Sequence, residues 1–128
     1  MVPKGLLYTK EHEWVRIEGK EAVIGITDHA QAELGDITFV ELPKAGVQIS
    51  QLKVFGTIES VKAASDLYAP VSGKVLAVNP DLEKTPELVN QSPYEKGWLV
   101  RVTVADAAET KNLLSADQYA ALVEEPKP

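Results

Sequence analysis

Lys62 is the side chain whose setting most invites chemistry. It sits in Val54-Phe-Gly-Thr-Ile-Glu-Ser-Val-Lys62-Ala-Ala-Ser-Asp-Leu-Tyr-Ala-Pro-Val-Ser-Gly73, between two runs rich in β-branched and aromatic residues, Val54 to Val61 and Asp66 to Val71. Such runs around a short centre read as an antiparallel hairpin over about residues 54–71, with Lys62 at or beside its tip. An amine held there stands away from the core on a rigid support, where a modifying enzyme can reach it. Hairpin lysines also serve simply as soluble residues that discourage edge pairing, so position alone leaves both uses open.

The remaining reactive side chains form weaker patterns. His12 and His29 have Glu13 and Asp28 beside them. Neighbours on a strand point to opposite faces, so His12 and Glu13 are not expected to chelate together. Without a clear third ligand, no metal site is expected. His29 reads instead as lining a groove or polarising the end of a short helix. Trp14 and Trp98 read as core or groove-wall residues. No nucleophile–base pair or phosphate loop appears, so the chain is not read as an enzyme. It contains no cysteine, which excludes disulfides, thiolate metal sites and thiol nucleophiles. Any sulfur redox chemistry must therefore arrive on a prosthetic group.

The elements that would position these residues are mostly strands. Leu6 to Tyr8 starts the series, and Glu13–Glu18 and Glu21–Ile26 form a hairpin across Gly19-Lys20. Thr27 or Asp28 caps a short helix running to Leu34, which Gly35 stops. Ile37 to Leu42 resumes strand, Gly73 to Val78 follows the lysine hairpin, and Trp98 to Val104 is the strongest late strand. Asn79-Pro80 opens an irregular stretch holding Pro86 and Pro93, with room for one helical turn. Ser115-Ala-Asp-Gln118 has capping-box spacing and leads into a helix over about 115–125 with Tyr119, Leu122 and Val123 at helical intervals, before Pro126 and Pro128. Short strands with helices near the end predict a mainly β fold, a sandwich or flattened barrel of antiparallel sheets. At 128 residues without a linker or repeat, one domain over 1–128 is expected.

Charge narrows the partners. Thirteen basic and nineteen acidic residues give a net charge of −6, which phosphate backbones repel, so nucleic-acid binding is not expected. The apolar runs are too short to cross a bilayer and no signal-peptide core is visible, so cytoplasmic residence is the expectation.

The context of Lys62 carries a resemblance. Ala69-Pro-Val-Ser-Gly73-Lys-Val75 resembles the Ala-Pro-x-x-Gly-x-Val element of lipoyl and biotinyl domains, with Gly73 eleven positions after Lys62. Biotin carriers usually set their lysine between methionines, but Lys62 lies between Val61 and Ala63. Glu59-Ser60-Val61-Lys62-Ala63 resembles the glycine cleavage H-protein family at all five positions. His12-Glu13-Trp14-Val15, Gly25 to Gln31, Leu34-Gly-Asp-Ile37, Asn79-Pro80 and Gly97-Trp-Leu99 extend the likeness along nearly the whole chain.

That resemblance implies a lipoyl/biotinyl-type fold and a lipoyl group in amide linkage to Lys62, with Glu59, Ser60, Val61, Ala63 and Gly73 as the attachment motif. It implies a shuttle. A pyridoxal-phosphate glycine decarboxylase supplies an aminomethyl group, a tetrahydrofolate-dependent aminomethyltransferase removes it, and a flavin-dependent dihydrolipoamide dehydrogenase reoxidises the arm. A lipoate-attaching enzyme is a fourth partner. It also points to Glu13 and Asp66 as carboxylates sheltering the loaded arm, with His29 in the same cleft. The alternatives are a relay that donates lipoyl groups to other enzymes, a biotinyl-type carrier, and an interaction domain whose lysine is never modified.

Overall fold

The computed structural model describes residues 2–123. Along the chain come β1 (Leu7–Tyr8), β2 (Glu13–Glu18), β3 (Glu21–Ile26), α1 (Asp28–Leu34), β4 (Ile37–Glu41), β5 (Gln48–Ile49), β6 (Val54–Ser60), β7 (Ala64–Tyr68), β8 (Gly73–Val78), α2 (Leu88–Gln91), β9 (Val100–Thr103) and α3 (Ala116–Val123). Two short 3-10 turns, Pro80–Leu82 and Ala107–Asn112, complete the set. The strands form a six-stranded sheet in the order β1-β2-β3-β9-β8-β5 and a three-stranded sheet in the order β4-β6-β7. Every pairing is antiparallel.

Side-chain alternation explains how the sheets stack. Val15, Ile24 and Val102 of the large sheet share one buried cluster with Ile37, Ile58 and Leu67 of the small one. The neighbouring Trp14 and Val23 point to the opposite face, where Tyr8 and the C-terminal helix cover them through Tyr119. The mainly β sandwich expected from the sequence is what forms.

Local chemistry sets most boundaries. Gly19 turns the β2–β3 hairpin at φ 67°, a conformation that costs glycine little. Thr27 is the cap that α1 uses, its hydroxyl accepting the Ala30 amide at 3.2 Å. The capping box closes reciprocally: Gln118 N–H donates to Ser115 Oγ at 3.2 Å and Ser115 N–H to Gln118 Oε1 at 2.9 Å. The expected end of this helix near 125, with Pro126 and Pro128, lies outside the described residues. Its apolar stripe is narrower than expected, because Tyr119 is buried while Leu122 is 40% exposed.

Two expectations shift. The second arm of the lysine hairpin begins two residues earlier than Asp66 and ends at Tyr68 rather than Val71, since Pro70 has no N–H to continue a ladder. The two-residue strand β5 was not expected, as Gln48-Ile49 is too short to show a period. The stretch after β8 is latched by buried Asn79, whose Nδ2 donates to the Lys96 and Trp98 carbonyls at 2.8 Å each.

Gly73 belongs to this architecture. A Cβ at that position would lie 1.8 Å from the Thr103 carbonyl oxygen, so β8 and β9 approach as closely as they do only with glycine there. Gly73→Ala is expected to destabilise the protein by about 3 kcal/mol. Urea unfolding checks this, and wild-type stability in the variant would contradict it.

Candidate functional site

The chain from Ser60 to Ala63 makes the turn between β6 and β7, after the last ladder pair Glu59–Ala64. Neither Val61 nor Lys62 has a positive φ, so this is not a mirror-type hairpin turn of the kind Asn-Gly favours. Ser60 supplies what such a turn lacks. Its hydroxyl accepts the amides of Lys62 at 3.3 Å and Ala63 at 3.1 Å, while Ser60 N–H donates to the Ala63 carbonyl at 2.8 Å. Serine at this position is therefore a turn-builder, a use open to hydroxyl side chains.

The tip is also tied to the body. Val61 N–H donates to the Asp36 carbonyl at 3.0 Å. Asp36 lies between two residues fixed by Asn90 of α2, whose Nδ2 donates to the Gly35 carbonyl at 2.8 Å and whose Oδ1 accepts the Ile37 amide at 2.9 Å. Asn90 also donates to Gln31 Oε1 at 2.9 Å. Gly35 ends α1 at φ 81°, and a Cβ there would come within 3.3 Å of Lys62 Cε. The lysine stem thus lies across a backbone that glycine leaves bare.

Val61 is 69% exposed, and Lys62, Ala63 and Glu59 are exposed with it. Among the described residues no carboxylate pairs with Lys62. The arrangement presents one unpaired amine on a hydrogen-bonded turn, suited to acylation. The turn residues are adjacent in the sequence and were expected together, whereas their support by Gly35, Asp36 and Asn90 was not expected. The two glycine–acid residues after a helix were a signal of a cap only.

The expected sheltering residues separate. Glu13 does not line an open cleft; it is 1% exposed. Oε1 accepts from the Thr9 hydroxyl and Oε2 from the Tyr68 amide at 3.0 Å, so both carboxylate oxygens are engaged. Asp66 is exposed on β7 opposite Thr57, on the strand that Glu13 holds through Tyr68. His29 turns elsewhere, with Nε2 3.3 Å from Glu33 Oε2 and its ring centroid 4.6 Å from that of His12. Trp14 is core, donating from Nε1 to the Pro93 carbonyl at 3.0 Å, and Trp98 is partly buried in the same cluster.

A profile of the family described as glycine cleavage H-protein matches residues 6–126. The chain belongs to the glycine cleavage H-protein family. It is 59% identical over 123 residues to a glycine cleavage system H protein of Brevibacillus brevis, covering 96% of this chain and 98% of the relative. A relative of the same description from Geobacillus thermodenitrificans is 57% identical over 123 residues, covering 96% and 97%. The crystal structure of a glycine cleavage system H protein from Mycobacterium marinum matches the fold with a TM-score of 0.82 at 37% identity, covering 93% of this chain and 96% of that one. The family resemblance read from the sequence is thereby borne out, and with it membership of a family of lipoyl carriers in glycine cleavage. No helix of the described residues is long and apolar enough to cross a membrane.

Burial gives Glu13 a measurable signature. Desolvation pushes its carboxyl up to about 7 from an ordinary 4.5, against the opposing bonds from Thr9 and Tyr68. A raised folded value means stability that is full below about pH 4.5 and is lost as pH rises through about 7. The loss is of order 3 kcal/mol. Glu13→Gln, which cannot ionise, is expected to remove this component. Urea unfolding of both proteins from pH 5 to 8 reads the difference, and parallel curves would contradict the burial of the charge.

Proposed function

We propose that the whole chain works as one carrier domain, with a lipoyl group joined through an amide to Lys62. The observation that carries this reading is the exposed Lys62, without an ion-pair partner among the described residues, lying over Gly35 on a turn tied down by Ser60 and Asp36. The residues present fit such a group: acylation removes the amine's charge, and no carboxylate among the described residues is left without a partner by its loss. When attached, the group supplies a disulfide that accepts an aminomethyl unit and a pair of electrons. The protein supplies position. Tethering converts encounters with a docked enzyme into intramolecular ones at effective concentrations of roughly millimolar.

The partners in this reading are the pyridoxal-phosphate decarboxylase of glycine, the tetrahydrofolate-dependent aminomethyltransferase, the flavin-dependent dihydrolipoamide dehydrogenase and an enzyme that attaches lipoate. Catalysis resides in those proteins, and the carrier meets them in the cytoplasm. Lys62→Arg keeps the charge but cannot form the amide. It is expected to fold normally and to abolish glycine cleavage in an assay reconstituted with the three enzymes. Turnover by a folded Lys62→Arg protein would overturn the reading. Transfer of lipoyl groups from the purified carrier to another enzyme's apo-domain would instead favour the relay role.

Asp66 is the carboxylate we assign to the carried ammonium. It lies four residues beyond Lys62, which bounds their Cα separation at about 14 Å, and a lipoyl-lysine arm reaches about as far. Glu13 serves the same ammonium only by exchanging its bond to the Tyr68 amide. Asp66→Asn should therefore release the one-carbon unit faster in the absence of the transferase. Because Asp66 is exposed, the expected increase is about two- to fivefold, equivalent to about 0.5–1 kcal/mol. Formaldehyde released from loaded carrier measures it, and equal rates in wild type and variant would remove Asp66 from this role.

A further inference from the structure

The sequence offered two histidines and no third ligand, but the fold supplies one. His29 and Glu33 stand at i and i+4 on α1, the spacing that puts two side chains on one helical face. His12 joins them from the entry to β2, where its backbone takes a left-handed φ of 73°, rare for a residue with a side chain. One ligand atom from each of His12, His29 and Glu33 lies within 4.8 Å of the others.

The His12 ring is also oriented from behind. Its Nδ1 is 2.7 Å from the hydroxyl of buried Tyr119, which is in turn 2.7 Å from Thr27 Oγ1. With the Tyr119 proton given to Thr27, Nδ1–H donates to the Tyr119 oxygen, which leaves the Nε2 lone pair as the ring's ligand atom. A hydrogen bond to the far nitrogen is how metal-binding histidines are held in tautomer and direction. The three residues line a cavity of about 320 Å³ with Lys10, Leu122 and Val123, which leaves room for a water ligand.

We propose that His12, His29 and Glu33 form a binding site for a divalent transition metal of the zinc class, completed by water. Two imidazoles and one carboxylate match that donor preference, whereas magnesium and calcium favour oxygen cages. Bonds of about 2.0–2.2 Å require the three ligand atoms to draw together. Glu33, 65% exposed, is free to swing inward. Lys10 must turn its charge away, which its exposed position permits. The bound ion would join the β2 entry, α1 and, through Tyr119, the C-terminal helix. It lies outside the Lys62 assignment and does not depend on it.

The test is titration of the untagged, metal-stripped full chain with zinc chloride at pH 7.5, followed by calorimetry and by imidazole proton NMR. One zinc per chain is expected, with shifts at both histidines and no response to magnesium chloride. His29→Gln and Glu33→Gln, both on a partly exposed helical face, should each weaken binding at least tenfold without unfolding the protein. Tyr119→Phe removes only the hydroxyl and should weaken it about tenfold; unchanged affinity there would leave the ligands but overturn the orienting role. Absence of stoichiometric binding, or affinity unchanged in both helix variants, would overturn the site.

Discussion

The Val61 amide donates to the Asp36 carbonyl at 3.0 Å, and the role proposed for Lys62 depends on that tie. A lysine on an isolated two-stranded hairpin would sample many positions, because such hairpins are marginally stable in water. Here the tip is fastened to the connector between α1 and β4. The connector is fixed in turn by Asn90, reaching from the far side of the chain. Within the turn, Ser60 satisfies two amides that would otherwise face solvent. Hydrogen bonding is thus spent on the backbone, and among the described residues the lysine side chain has no ion-pair partner.

Glycine performs a related service where α1 ends. The positive φ of Gly35 closes the helix, and its missing Cβ gives the Lys62 stem a surface to cross. One residue answers both a backbone and a side-chain requirement. Beneath the hairpin, Glu13 reaches from β2 of the large sheet to the Tyr68 amide of β7 in the small one. That bond joins the two sheets at the strand that runs back from the lysine. Its cost is a carboxyl held in apolar surroundings and pushed up to about 7, an acidic group retained where an amide of similar shape would be easier to bury.

Features written in neighbouring residues were legible in the sequence. The β2–β3 hairpin, the Thr27 and Gly35 caps of α1, the Ser115–Gln118 box and the Lys62 hairpin all rest on contacts within a few positions, so their residue types announce them. What escaped depends on distant partners. Nothing in Asn90 signals that it will brace Gly35 and Ile37, because 53 positions separate it from the latter. The enclosure of Glu13 needs Tyr68, and the cluster of His12 with Glu33 needs a helix turned toward the β2 entry. Strand β5 and the true span of β7 were missed for a simpler reason: two residues show no period, and Ala69-Pro70-Val71 looks like strand until Pro70 ends the ladder.

Tryptic mapping of the native protein from lipoate-replete cells tests the central assignment most directly. Trypsin cuts after free lysine and not after an acylated one. Lys53 and Lys74 bound the hairpin, with Lys62 as the sole basic residue between them. An uncut peptide over residues 54–74 carrying one lipoyl amide is the expected result. Cleavage after Lys62 with no added mass, or a lipoyl group found on Lys53 or Lys74 instead, would contradict it.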